Sequence, residues 1–175
     1  MRYVALLRGI NVSGANMIKM DELRRTFEGL GFKDVVSYIN SGNLAFDTRS
    51  TSEDSLAAKI EKAIHQSFGM TIPVMIRQRE HIGEVLANNP FEGEYESHKE
   101  MHVLFLKEPL SKDSLEEVRA GAPKDERFAA KGREIYLHLP MGVAESVLGR
   151  GLIEKKLKVA VTARNWRTVQ KLAEL

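Results

Sequence analysis

VVSYINSGNLAFD, residues 35–47, sets the architecture. Val35–Ile39 and Asn43–Asp47 read as two strands, and Asn40, Ser41 and Gly42 between them read as a hairpin turn with the glycine where positive φ is needed. Upstream, RYVALL (Arg2–Leu7) is apolar on both faces and predicts a buried strand. A helix follows over Met20–Leu30, with Met20, Leu23, Phe27 and Leu30 on one face and Gly31 as its C-terminal cap. Downstream, Ser52 caps a second helix running to Phe68, with Leu56, Ile60, Ala63, Ile64 and Phe68 as its buried stripe. PVMIR (Pro73–Arg77) is the fourth strand. The order β-α-β-β-α-β is the split β-α-β of a ferredoxin-like lobe.

The second half repeats this order more faintly. A helix over Arg79–Ala87 leads into the turn-rich NNPFEGEYES, and MHVLFLK then restarts the pattern as a strand. SKDSLEEVRA is a helix capped by Ser111 or Ser114, and ERFAAKGREIYLHLP a hairpin turning at Lys131 and Gly132. GVAESVLGRGLIEKKLK is expected to be helical, and a last helix to run from about Asn165 to Leu175. The predicted fold class is α+β, with two ferredoxin-like (split β-α-β) lobes packed together. Residues 1–78 form the first lobe, 79–100 a helix and connecting loop, and 101–175 the second lobe with its C-terminal helix.

In a split β-α-β sheet the exit of the first strand and the hairpin between the second and third lie at one sheet end. The loop RGINVSGANMIK therefore faces YINSGN, which gathers Arg8, Asn11, Ser13, Asn16, Lys19, Tyr38, Asn40, Ser41 and Asn43 on one rim beside a helix N-terminus. Donors, two cations and no carboxylate suit an anion. The same residues have structural uses: the asparagine amides can bond loop backbone, and Arg8 can clamp a carboxylate such as Asp47.

Three strings, YVALLRGINVSGANMIKMDEL, YINSGNLAF and TARNWRTVQKL, together reach over essentially the whole chain and resemble the motifs of a bacterial family of unknown function, domain-of-unknown-function family 1697. Ser13 stands where that family usually has glycine, and Ala15 where it commonly has lysine. The resemblance implies tandem ferredoxin-like lobes and brings no activity, substrate or catalytic residue. In the third string, Thr162 or Asn165 can cap the final helix, whose Trp166, Val169 and Leu172 share a face. Arg164 and Arg167 near its start oppose the helix dipole and invite an anion or a carboxylate. Arg164, Asn165 and Trp166 thus join the candidate rim, although Trp166 equally suits an ordinary core position.

Composition narrows the chemistry. The chain of 175 residues is 43% hydrophobic and 29% charged, with net charge +2. The basic excess lies in residues 150–175, where seven lysines and arginines face Glu154 and Glu174. No cysteine is present, which excludes disulfides, thiol catalysis and thiolate metal sites. Neither GxxxxGK[ST] nor GxGxxG occurs in the loop, and no histidine has a recognisable Ser/acid partner. His98, Glu100 and His102 would share a face if extended, but no third clear ligand joins the histidines, so no metal is expected.

No cofactor is expected either. No apolar run suits a membrane, and the expected location is the cytoplasm. The rim residues bind and orient but do not titrate near neutrality, which favours binding of an anionic, phosphate-bearing small molecule or nucleotide. The alternatives are an enzyme using the rim to stabilise developing charge, and an RNA-binding module, for which the strands lack an aromatic-rich stacking face. Oligomeric state is not encoded in any motif.

Overall fold

The computed structural model describes all 175 residues. The chain divides into two compact units, residues 1–84 with 171–175, and residues 85–170. The C-terminal residues close onto the first unit, where Arg2 Nε donates to the Leu175 carbonyl at 2.8 Å.

The first unit contains β1 (Arg2–Leu7), α1 (Met20–Gly29), β2 (Lys33–Tyr38), β3 (Asn43–Asp47), α2 (Glu53–Phe68), β4 (Val74–Gln78) and most of α3 (Arg79–Ala87). Its sheet has the order β2-β3-β1-β4 with every pair antiparallel, so β1 and β2 run parallel with β3 between them, as a split β-α-β requires. One sheet face carries Tyr3, Ala5, Leu7, Leu44, Phe46, Val74 and Ile76 against Leu23 and Phe27 of α1 and Leu56, Ile60 and Ile64 of α2. The helix boundaries follow local chemistry. Ser52 accepts the Ser55 N–H at 3.0 Å to start α2, and Gly69 ends it in the left-handed region.

The second unit repeats the design: β5 (Met101–Leu106), α4 (Lys112–Gly121), β6 (Arg127–Lys131), β7 (Glu134–His138), α5 (Leu152–Leu157), β8 (Val161–Asn165) and α6 (Trp166–Leu172), whose last two residues lie in the first unit. Its strand order, β6-β7-β5-β8, maps onto the first sheet position by position.

Two expectations are corrected here. The stretch after Pro140 is not one helix: residues 141–151 form turns, and only Leu152–Leu157 are α-helical. Gly142 and Gly151 take φ of 82° and 91° there, and the buried Glu126 carboxylate accepts the N–H groups of Val147 and Leu148 at 2.9 and 2.8 Å, bonds a helix would have supplied itself. Secondly, the second half has a fourth strand that the sequence reading lacks: Val161–Asn165 is β8, paired antiparallel with β5, and the final helix, α6, follows it directly at Trp166.

Candidate functional site at the first-unit rim

Residues 9–16 build a small projecting finger. Asn11 donates its backbone N–H to the Asn16 carbonyl at 3.2 Å and Ala15 to Val12 at 2.9 Å, which closes a miniature hairpin. Ser13 and Gly14 at its tip have φ of 51° and 77°, the pair of positive values a type I′ turn needs. Asn11 and Asn16 themselves sit near φ +50°, which asparagine tolerates better than other side chains.

The amides hold this finger in place. Asn11 Nδ2 donates to the Ile18 carbonyl at 3.0 Å and its Oδ1 accepts the Ile18 N–H at 2.8 Å, while Asn16 Nδ2 reaches the Gly9 carbonyl at 3.0 Å. Asn11 Nδ2 also donates to the Asn40 carbonyl at 2.7 Å, so the finger and the β2–β3 hairpin are neighbours. The Leu7 N–H to Gly42 carbonyl bond, at 2.8 Å, ties the hairpin to the end of β1, just ahead of the finger. Gly42 has φ +91°, and a Cβ there would lie 2.8 Å from Leu7 Cβ. Asn43, fully buried, donates to the Tyr38 carbonyl at 3.1 Å and to Ser41 Oγ at 3.0 Å. Asn11, Asn16 and Asn43 are therefore framework, and Ser41 is part of the turn they stabilise.

What the finger presents outward is mixed. Val12 beside the finger tip, Met17 after its base and Ile39 in the hairpin are 55%, 59% and 54% exposed, and Ile39 itself has φ +51°. Lys19 is exposed at the N-cap of α1, where no side chain caps the first-turn N–H groups. A lysine there opposes the helix dipole, and Asp21 and Glu22 in the first turn partly offset it. Asp21 is itself paired with Arg24. Arg8 is half-buried and its backbone N–H donates to the Pro73 carbonyl at 3.0 Å. It does not clamp Asp47: the register places Arg2 opposite Asp47, and Arg2 makes that ion pair at 3.2 Å.

A model of a family described as proteins of unknown function, DUF1697, matches residues 1–136. The chain belongs to that family. The DUF1697 match contains the finger and the hairpin and ends before TARNWRTVQKL. Among solved structures, the conserved bacterial protein SP0830 from Streptococcus pneumoniae is similar with a TM-score of 0.79 at 27% identity, over 99% of this chain and 97% of that one. No curated protein is similar enough to match the chain.

The three C-terminal candidates of this DUF1697 protein are engaged within the second unit. Asn165 Oδ1 caps α6 by accepting the Thr168 N–H at 2.9 Å. Trp166 is buried, edge-on to Tyr95 with ring centroids 6.3 Å apart. Arg164 lies on β8, not in the helix, and donates to Thr162 Oγ1 at 2.7 Å and the Ala163 carbonyl at 2.8 Å. Burial pushes its guanidinium down to about 10.

Sequence reasoning missed the polar interior around these residues. His102 is buried with Nδ1 unpartnered, and burial, then the nearby His98, lower its imidazole to about 4. His98 and Glu100 lie in the turn before β5, and Glu100 faces His138 at 3.6 Å. His98, Glu100 and His102 consequently do not share a strand face. No three His, Asp or Glu side chains converge as a metal site. Arg127 joins this cluster by contacting His138 Nδ1 at 2.7 Å and Glu94 at 3.0 Å. The Tyr136 hydroxyl is pushed up to about 12 by burial and by Glu134, and donates to the Val85 carbonyl at 2.6 Å. The only sequence signal for any of this is polar residues falling on otherwise apolar strands.

Proposed function

We propose that the first-unit rim binds an anionic, phosphate-bearing small molecule, with a nucleotide as the favoured class. The observation that carries this reading is the carboxylate-free finger, braced by Asn11 and Asn16 and fastened to the hairpin, with Lys19 at the uncapped helix start that follows it and Val12, Met17 and Ile39 exposed on the same two loops. A cation with helix N–H groups suits a phosphate. Exposed aliphatic side chains add affinity only for a ligand with an apolar body, which a nucleobase supplies and inorganic phosphate does not. β1 and β3 are buried along nearly their whole lengths, so ligand contacts fall to the loops and not to the sheet surface.

Thermal melts with inorganic phosphate and a panel of nucleoside mono- and triphosphates test this. A nucleotide raises the wild-type melting temperature, and Lys19→Ala and Lys19→Glu remove that rise while melting normally without ligand. A panel without any shift, or a shift that both Lys19 variants retain, would reject the rim as the site.

A further inference from the structure

At the opposite end of the first sheet lies an open cleft of about 710 Å³, a size that accommodates a small organic ligand. Its position follows from register: Lys33 of β2 and Arg2 of β1 both pair with Asp47 of β3, whereas the rim lies beyond the Leu6–Asn43 and Tyr38–Asn43 pairs. The cleft is walled by the α1–β2 turn, the β3–α2 connection and the first turns of α2.

Its floor is apolar and close-packed. Phe32 lines the cleft and stacks on Phe46 at 4.3 Å between centroids with an 18° interplanar angle, and Phe27 meets both rings edge-on. Leu56 continues this floor; Phe32 and Leu56 show only edges to the cleft, 4% and 3% exposed, and Met1, which also lines it, is 51% exposed. Its charge is mainly positive. Lys33, Arg49 and Lys59 line the opening and are all exposed, and Lys59 Nζ sits 5.4 Å from the Phe32 ring centroid. The one carboxylate lining the cleft, Asp47, is already paired with Arg2 at 3.2 Å.

We propose that this cleft is a second binding site, which takes a small anionic molecule with a flat apolar body. The body lies against Met1 and over the exposed edges of Phe32 and Leu56, and the anionic group faces Lys33, Arg49 and Lys59. Exposed cations are screened by water and hold a bare anion weakly, so the apolar floor is needed for affinity and the cations select the sign of charge. The inference is independent of the rim: none of its residues belongs to the finger or the hairpin.

The test uses two fluorescent probes with similar bodies, 8-anilinonaphthalene-1-sulfonate and the uncharged N-phenyl-1-naphthylamine. The sulfonate binds saturably at one site, at least tenfold more tightly than the neutral probe, and shifts the backbone amides of Gly31, Thr48 and Ser55 in NMR spectra. Arg49→Ala and Lys59→Ala each weaken the sulfonate at least threefold and leave the neutral probe unchanged. Lys59 also donates to the Leu30 carbonyl at 3.3 Å, so the exposed Arg49 keeps the test valid should the Lys59 variant unfold. Lys19→Ala leaves sulfonate binding intact, which separates this site from the rim. Equal affinity for both probes, amide shifts confined to the finger, or affinity that Arg49→Ala leaves unchanged overturns the proposal.

Discussion

The two sheets have the same strand order, and they differ at the corner where strand one meets helix one. In the first unit residues 8–19 connect β1 to α1 and carry the finger. In the second, residues 107–111 connect β5 to α4, less than half that length. The hairpins differ likewise: residues 39–42 separate β2 from β3, but only Gly132 and Arg133 separate β6 from β7. The burial of polar groups runs the other way. Asn43 and Arg77 are the buried polar residues of the first unit's strands, while the second unit's strands bury His102, Glu134, His138, Thr162 and Arg164. One topology thus supports two allocations of polar chemistry. Built into a loop, polar groups form a surface that a ligand can reach, and built into the sheet they become structural obligations.

The sharpest way to break the contrast is Gly42→Ala. Left-handed backbone strain and the 2.8 Å approach to Leu7 Cβ each cost on the order of 1–3 kcal/mol, so the variant loses about 4 kcal/mol in urea unfolding and detaches the finger from the hairpin. A loss under about 1 kcal/mol would show that the corner is pliable.

Next in size is the pH response of the second unit. His102 takes up its proton near pH 4 when folded, against 6.5 in an unfolded chain, because burial and His98 disfavour its charge. Between those values the unfolded chain binds more protons. The His102 contribution is therefore complete above pH 6.5 and is lost as pH falls toward 4, by about 3 kcal/mol. His102→Leu should flatten that part of the unfolding free energy between pH 7 and pH 4.5, and an unchanged slope would show that the imidazole finds water when charged.

Asn11→Ala removes bonds to the Ile18 N–H, the Ile18 carbonyl and the Asn40 carbonyl, and is expected to cost about 2 kcal/mol. Hydrogen exchange at Ile18 should rise with it; unchanged protection would mean the finger stands without its brace. The smallest stability effect belongs to Lys19→Ala, within about 0.5 kcal/mol because the side chain is exposed, while ligand-induced stabilisation at the rim disappears.

Much of the fold was legible in local chemistry. The apolar spacing of α1 and α2, the Ser52 cap and the glycine at position 42 all act through residues near in sequence, and each was placed within a residue or two of where it lies. The finger was legible only as a polar loop. Its type I′ tip at Ser13–Gly14 has no flanking strand pattern, since Asn11 and Asn16 close it through backbone and amide bonds. Residues 141–151 look helical because Val143, Val147 and Leu148 are suitably spaced, yet Glu126, distant in sequence, claims the N–H groups and turns the chain.

Sequence by itself determined the element order of the first unit and, through that order, the meeting of the β1–α1 loop with the β2–β3 hairpin, because strand direction and crossover handedness allow no other corner. β8 was decided only in three dimensions. VTARN alternates too weakly to announce a strand, and it becomes one by pairing with β5, where Arg164 is buried and hydrogen-bonded. The same holds for the asparagines. Their identity pointed equally to a ligand and to the backbone, and the distances from Asn11 to Ile18 and Asn40 make it a brace, because an amide already bonded at 2.7 to 3.0 Å is committed to the fold.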